Sequence, residues 1–224
     1  MPIDQTAAIE ITAFGWVPDG AKGLVKDLRV RWALEEACLP YRVRLLDPRD
    51  RPTDYVQQQP FNQVPYLLSP DIELFESGAI LQYVGEQAEA LLPREARGRY
   101  AAIQWLHAAL SSVEPFVQRR VLLDSIYANE EWAKLSKPSA DELSGLRLRQ
   151  VSERLGDRKW LEDDRFTIGD LMMVTVLRIA DRGKLLEPFP NLGAYVARGQ
   201  ERPAFARALT DHLGDFDQTE GLAA

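Results

Sequence analysis

The sequence is poor in the residues that carry redox and metal chemistry. It holds one cysteine, Cys38, and no Cys-x-x-Cys pair. An intramolecular disulfide is impossible, and dithiol redox chemistry is excluded. Cys38 falls at the far end of the first predicted helix, on its apolar face, and reads as a buried core thiol. The only histidines are His107 and His212. A His-based zinc site would need carboxylates to complete it, and no metal-ligand spacing is visible, so no metal is expected. His107 reads as a satisfied histidine on a helix face. No apolar run approaches the roughly 20 residues that span a bilayer, so no membrane partner is expected. Lysine and arginine form no dense cluster, and the net charge is −7. A phosphate backbone would be repelled on average, which argues against nucleic acid. The opening stretch, MPIDQTAAIEITAF, has no basic segment followed by an apolar one, so the expectation is a cytoplasmic protein without a secretory signal.

What is present reads as globular. Apolar residues make up 46% and charged residues 27% of 224 residues, enough for a full hydrophobic core. Residues 8–14 alternate apolar and polar as a strand does. Residues 15–23 carry three glycines and a proline and read as a loop. From Leu24 to Cys38, Val30, Ala33, Leu34, Ala37 and Cys38 recur at helical spacing, until Pro40. A strand over 41–46, a short helix near 54–58, a hairpin of 64–68 with 72–75, and a helix over 77–87 complete a β-α-β-α-β-β-α order. Beyond it no convincing strand appears. Helices are predicted over 99–127 with a kink at Pro115, over 139–156, and from Thr167, Asn191 and Pro203. The tail after Asp215 is polar and expected to be loose. The fold class is therefore α/β followed by all-α. The boundaries are 1–87 for the first domain, 88–98 for a linker and 99–224 for a helical domain.

Two pairs of residues carry the chemistry. Pro65 opens the third strand, where a missing N–H is tolerated. Glu76 and Ser77 open a helix, whose first N–H groups are unpaired and favour an anion. The segment Asn62-Gln63-Val64-Pro65-Tyr66-Leu67-Leu68, followed by Leu74-Phe75-Glu76-Ser77-Gly78, resembles the glutathione-binding half of the glutathione S-transferase family. The helix Val30-Arg31-Trp32-Ala33-Leu34-Glu35-Glu36 resembles that family's first helix, and Phe166-Thr167-Ile168-Gly169-Asp170-Leu171 resembles a motif of its helical half. Thr167 reads as an N-cap and Asp170 as its partner at the third helical position, a structural feature.

The resemblance implies a thioredoxin-like domain followed by a helical bundle domain, and glutathione as co-substrate. It implies a cis Val64-Pro65 bond that turns the Val64 N–H and C=O toward the cysteinyl unit of glutathione, in the manner of strand addition. Ser77 would bind the γ-glutamyl carboxylate, Glu76 would accept from the ligand's ammonium, and Gln63 would reach the glycyl end. A two-fold homodimer is implied through the helix after the linker and the one that follows it.

The chain departs from the family where the thiol is activated. The family places a Tyr, Ser or Cys after the first strand or at the start of the first helix. Residues 13–29 contain none of these and no Thr. Leu24 falls near the usual Ser or Cys position, and Phe14 near the usual Tyr. Backbone N–H groups at the helix start with Lys22 or Lys26 could hold a thiolate, or Thr12 could supply a hydroxyl. Otherwise the protein binds glutathione without strong turnover. Trp16, Phe116, Tyr127 and Trp132 are candidates for the wall of a second site. Two readings follow: a transferase joining glutathione to a small apolar electrophile, or a non-catalytic glutathione-binding or interaction protein of the same fold. A third is a dimerisation protein without a ligand.

Overall fold

The computed structural model describes residues 3–162 and 165–220, with side chains given to residue 216. The chain forms two compact units, residues 1–91 with 201–224, and residues 92–200.

In the first unit, β1 (Ile9–Phe14) and β2 (Tyr41–Leu46) pair in parallel, from Ile9 beside Tyr41 to Phe14 beside Leu46. β3 (Tyr66–Leu68) runs antiparallel to β1 and forms a hairpin with β4 (Glu73–Phe75). The sheet order is β2-β1-β3-β4. β1 is thus an inner strand, and Ile11, Thr12 and Ala13 are all buried. Between β1 and β2 lies α1 (Asp27–Ala37), and α2 (Ser77–Gln87) follows β4. α1 packs on α2. α1 starts three residues later than its apolar periodicity suggested, because residues 21–24 close a tight turn with Leu24 N–H on the Ala21 carbonyl.

The last helix, α8 (Pro203–Glu220), also belongs to this unit, where the sequence placed it in the helical domain. The reason is a row of charged contacts to α1. Arg202 grips Glu36 at 2.5 and 2.8 Å, and Arg207 meets Glu35 at 2.5 Å. Arg31 pairs with Asp215, and His212 Nδ1 lies 2.9 Å from Asp27. Trp32 and Phe205 meet edge to face at 4.9 Å. Helical backbone continues through Glu220, so the segment expected to be loose is helical as far as it is described; residues 221–224 lie outside the described residues. Cys38 is a further correction. It is exposed, with φ at 54°, just past the end of α1, where the helix unwinds and turns the thiol outward.

The second unit contains only helices among its described residues. α3 (Ala96–Ala108) passes through a π-helical turn at 109–113 into α4 (Glu114–Asp124). The turn lies just before Pro115, whose ring and missing N–H disrupt regular α-helical bonding there. α5 (Glu131–Leu155) starts eight residues before the expected 139 and runs through Pro138. Its first turns are tied back to α4, with Lys137 Nζ 2.7 Å from Asp124 and Arg120 bound to Asp141. α6 (Ile168–Arg182) is the central helix, buried from Ile168 to Leu177, and packs against α3, α4 and α7 (Pro190–Gln200). A Cβ on Gly169 would stand 2.7 Å from Trp105 Cβ and 2.9 Å from the Ala102 carbonyl, so the close α3–α6 crossing depends on that glycine.

The expected cap is present at the start of α6. Thr167 Oγ1 accepts from Gly169 N–H, and Asp170 Oδ2 accepts from Thr167 N–H at 3.0 Å. Asp170 does more than close the box. Its Oδ1 takes the Leu161 N–H and the Tyr195 hydroxyl, both at 2.9 Å, so one buried carboxyl joins a loop, α6 and α7. Burial pushes its pKa upward against these hydrogen bonds.

Candidate functional site

Val64 and Pro65 are joined by a cis peptide bond. Both are buried, and β3 begins only at Tyr66. Val64 lies outside the β1–β3 ladder, and among the described residues its N–H and C=O enter no backbone–backbone hydrogen bond. That leaves one donor and one acceptor of an extended strip unspent. Gln63 is exposed beside it.

The second half of the site is the start of α2. Ser77 is its first residue and is buried, and Glu76 before it is exposed. Glu76 adopts φ 71° and ψ 114°, an uncommon conformation for a residue with a side chain. No side chain caps this helix, so its first N–H groups keep their affinity for an anion. Arg29, from α1, is buried as well, and its Nη1 lies 3.4 Å from Ser77 Oγ. Arg29 was not singled out from the sequence. No local pattern marks it, because its partner is 48 residues away.

The start of α1 is built differently. Gly23 donates its N–H to His212 Nε2 at 3.3 Å. For Nε2 to accept, the imidazole carries its proton on Nδ1 and gives it to Asp27 Oδ2. Asp27 and His212 are both buried. Burial opposes the charge on Asp27, yet His212 and Arg31 together hold its carboxyl below the ordinary range. Leu24, at the register of the family's usual Ser or Cys, has its N–H on the Ala21 carbonyl. Lys22 pairs with Asp19 at 3.0 Å and lies 5.9 Å above the Phe216 ring. Lys26 sits immediately before α1 and is partly buried. Phe14 packs with Val25 and Leu68 against the cluster of Leu46, Tyr55, Val64 and Tyr66. Thr12 is fully buried, and its hydroxyl bonds to Tyr66 N–H and the Tyr55 hydroxyl.

The four aromatic wall candidates are not all in one place. Tyr127 and Trp132 lie 5.1 Å apart and line a cavity of about 350 Å3 with Pro115, Arg119 and Leu122. Phe116 instead lies under Arg147, at 5.0 Å. Trp16 is in the first unit, with Arg49 over its ring at 5.2 Å. His107 is exposed at the end of α3. Among the described residues no His, Cys, Asp and Glu group could hold a metal, and no helix is long and apolar enough to cross a membrane.

Comparison with known proteins agrees with this architecture. Residues 22–86 match the glutathione S-transferase N-terminal domain, and residues 120–203 match its C-terminal domain. The glutathione S-transferase GstA of Escherichia coli O157:H7 is 33% identical over 162 residues, covering 70% of this chain and 77% of that protein. The disulfide-bond oxidoreductase YfcG of Escherichia coli is 30% identical over 199 residues, covering 81% and 89%. A glutathione transferase family member from Pseudomonas fluorescens pf-5, solved with two glutathione bound, superimposes with a TM-score of 0.81 at 25% identity, covering 92% of this chain and 94% of that one. With two domain matches lying on the two halves of the fold, and GstA one third identical across most of the chain, this protein belongs to the glutathione S-transferase family.

Proposed function

We propose that this protein is a cytoplasmic, homodimeric glutathione transferase that joins the glutathione thiolate to a small apolar electrophile. The observation that carries the reading is the uncapped start of α2 with a buried cation beside it. Ser77 and the first N–H groups of α2 would take the γ-glutamyl carboxylate, and Arg29 adds positive charge at Ser77 Oγ. Glu76 would accept from the ligand's ammonium. The Val64 N–H and C=O would pair with the cysteinyl backbone, and Gln63 would meet the glycyl end. Glutathione bound to a family member of the same fold supports these assignments.

A thiol attacks as its thiolate, so the site must favour the ionised form. Lys22 and Lys26 are the nearest cations on the loop that leads into α1, and they would lower the thiol pKa by charge. The thiolate's electron pair then forms the new C–S bond: in a displacement the bond to the leaving group breaks and that group departs with its electron pair, and in an addition the carbon's π bond breaks and the resulting anion takes a proton from water. Tyr127 and Trp132 form the wall we assign to the apolar substrate.

A second reading has its own observation. Residues 13–29 lack a hydroxyl or thiol, and the Thr12 hydroxyl is engaged in the interior. A protein that binds glutathione without turnover fits that arrangement. Calorimetric titration of glutathione, paired with chlorodinitrobenzene conjugation, separates the two. Binding with conjugation supports the transferase, and binding without conjugation of this or a panel of other electrophiles supports the second reading. Absence of binding removes both.

A further inference from the structure

Thr12 and Tyr55 stand far apart in sequence and meet in the core of the first unit. Both are buried, with Thr12 at 0% and Tyr55 at 1% exposure. Three hydrogen bonds join them to each other and to the strip around Val64. Tyr66 N–H reaches Thr12 Oγ1 at 2.8 Å. Thr12 Oγ1 and the Tyr55 hydroxyl are 2.8 Å apart. The Tyr55 hydroxyl lies 2.7 Å from the Gln63 carbonyl.

Counting protons fixes the direction of the chain. A carbonyl only accepts, so Tyr55 donates its single proton to Gln63. Thr12 must then donate to Tyr55, while its lone pair accepts from Tyr66. Every donor points one way, from Tyr66 through Thr12 and Tyr55 to Gln63. Burial also pushes the Tyr55 phenol above its ordinary pKa, so it remains a donor through the neutral range. The two ends of this chain are the residues that bracket Val64-Pro65. The carbonyl before Val64 and the N–H after Pro65 are held by the same pair of side chains. Tyr55 itself is anchored by the turn at 55–57, where Gln58 and Gln59 N–H both reach its carbonyl, and by Arg44 over its ring at 5.7 Å.

We propose that Thr12 and Tyr55 are positioning residues for ligand binding: their hydrogen-bond relay clamps the backbone on both sides of Val64 and so sets the affinity for glutathione. The proposal rests on the glutathione reading above. It gives Thr12 a role other than thiol activation. It also explains why a hydroxyl stands on an inner strand where an aliphatic side chain would pack as well. A free backbone strip loses conformational freedom when an extended ligand pairs with it, and a clamp removes that cost in advance.

The test uses Tyr55→Phe, Thr12→Val, Thr12→Ser and the Val–Phe double variant. Glutathione affinity is read by calorimetry, Tm by scanning calorimetry, and amide exchange at Tyr66 and Leu67 by NMR. Tyr55→Phe keeps the ring and should weaken glutathione about three- to tenfold, the loss expected for one hydrogen bond. Thr12→Val should do the same and speed exchange at Tyr66 more than at Leu67. Thr12→Ser should restore affinity to within about twofold, and the double variant should lose less than the product of the single losses, because one relay is broken twice. A lower Tm with unchanged glutathione affinity in both single variants would overturn the proposal and leave ordinary core hydrogen bonds. Should the native protein fail to bind glutathione, the ligand reading fails. The clamp is then judged by exchange alone: faster Tyr66 exchange in Thr12→Val keeps it, and unchanged exchange overturns it.

Discussion

The stretch from Gln63 to Ser77 and the stretch from Ala13 to Arg29 belong to one compact unit, yet they are built on opposite plans. The first leaves backbone groups unspent, with Val64 outside the backbone hydrogen bonds of the described residues and no side-chain cap at the helix start at Ser77. The second turns much of its polar chemistry inward. Gly23 N–H is taken by His212, Leu24 N–H by Ala21, and the buried Asp27 carboxylate by His212 and Arg31. On the proposed function, the difference separates recognition from thiol activation in this fold. Recognition needs backbone geometry that many side chains can support. Activation needs one donor or cation in one place, and it can be lost or moved while the binding strip stays intact.

Five substitutions test this separation. The largest effect should fall outside both stretches. Asp170→Ala strips the acceptor from Leu161 N–H, Thr167 N–H and the Tyr195 hydroxyl at once and should cost about 3 kcal/mol or more of stability in denaturant unfolding. Glutathione affinity of the folded protein should not change; a parallel loss would show that recognition is not confined to the first unit. Next, Ser77→Ala should raise the glutathione Kd about tenfold, as expected for losing a hydrogen bond to a charged group, with little change in Tm. Trp132→Ala should raise KM for an aromatic electrophile about three- to tenfold and leave the glutathione Kd alone. The smallest changes belong to Lys22→Met and Lys26→Met. Each should leave the Kd within about twofold, while the fraction of bound thiol ionised at neutral pH falls, since a nearby cation acts on the charged form alone. A large loss of affinity in either lysine variant would merge the two functions again.

Much of the fold was readable from periodicity and punctuation. The alternation of residues 41–46, the hairpin around Ser69-Pro70-Asp71 and the Thr167–Asp170 cap all appear where the residues put them. The start of α5 did not, because Pro138 looks like a boundary, whereas contacts to α4 hold the helix on both sides of it, with Lys137 on Asp124 and Ala133 and Ala140 packed on Leu123. α8 did not either. Its docking on α1 is made by Arg202, Arg207, His212 and Asp215 meeting Glu36, Glu35, Asp27 and Arg31, partners more than 160 residues away that look like solvated charges in a linear reading. Cys38 was misplaced because helical periodicity assigns a face but does not show where the helix unwinds.

The candidate site divided in the same way. Val64, Pro65, Glu76 and Ser77 carry a local pattern, a proline at a strand start and a serine at a helix start, that a sequence displays. Arg29 and Tyr55 do not, since their partners Ser77 and Thr12 lie 48 and 43 residues away. The four aromatic wall candidates do not share one place. Tyr127 and Trp132 share a cavity, whereas Phe116 and Trp16 stack with arginines elsewhere.

The most direct test of the separation is a calorimetric titration of the native protein with glutathione in which far-ultraviolet thiolate absorbance is followed in the same sample at neutral pH. The account predicts binding that Ser77→Ala weakens about tenfold, whatever the thiolate signal, with the size of that signal set by Lys22 and Lys26. Absence of glutathione binding, or binding untouched by Ser77→Ala, would contradict it.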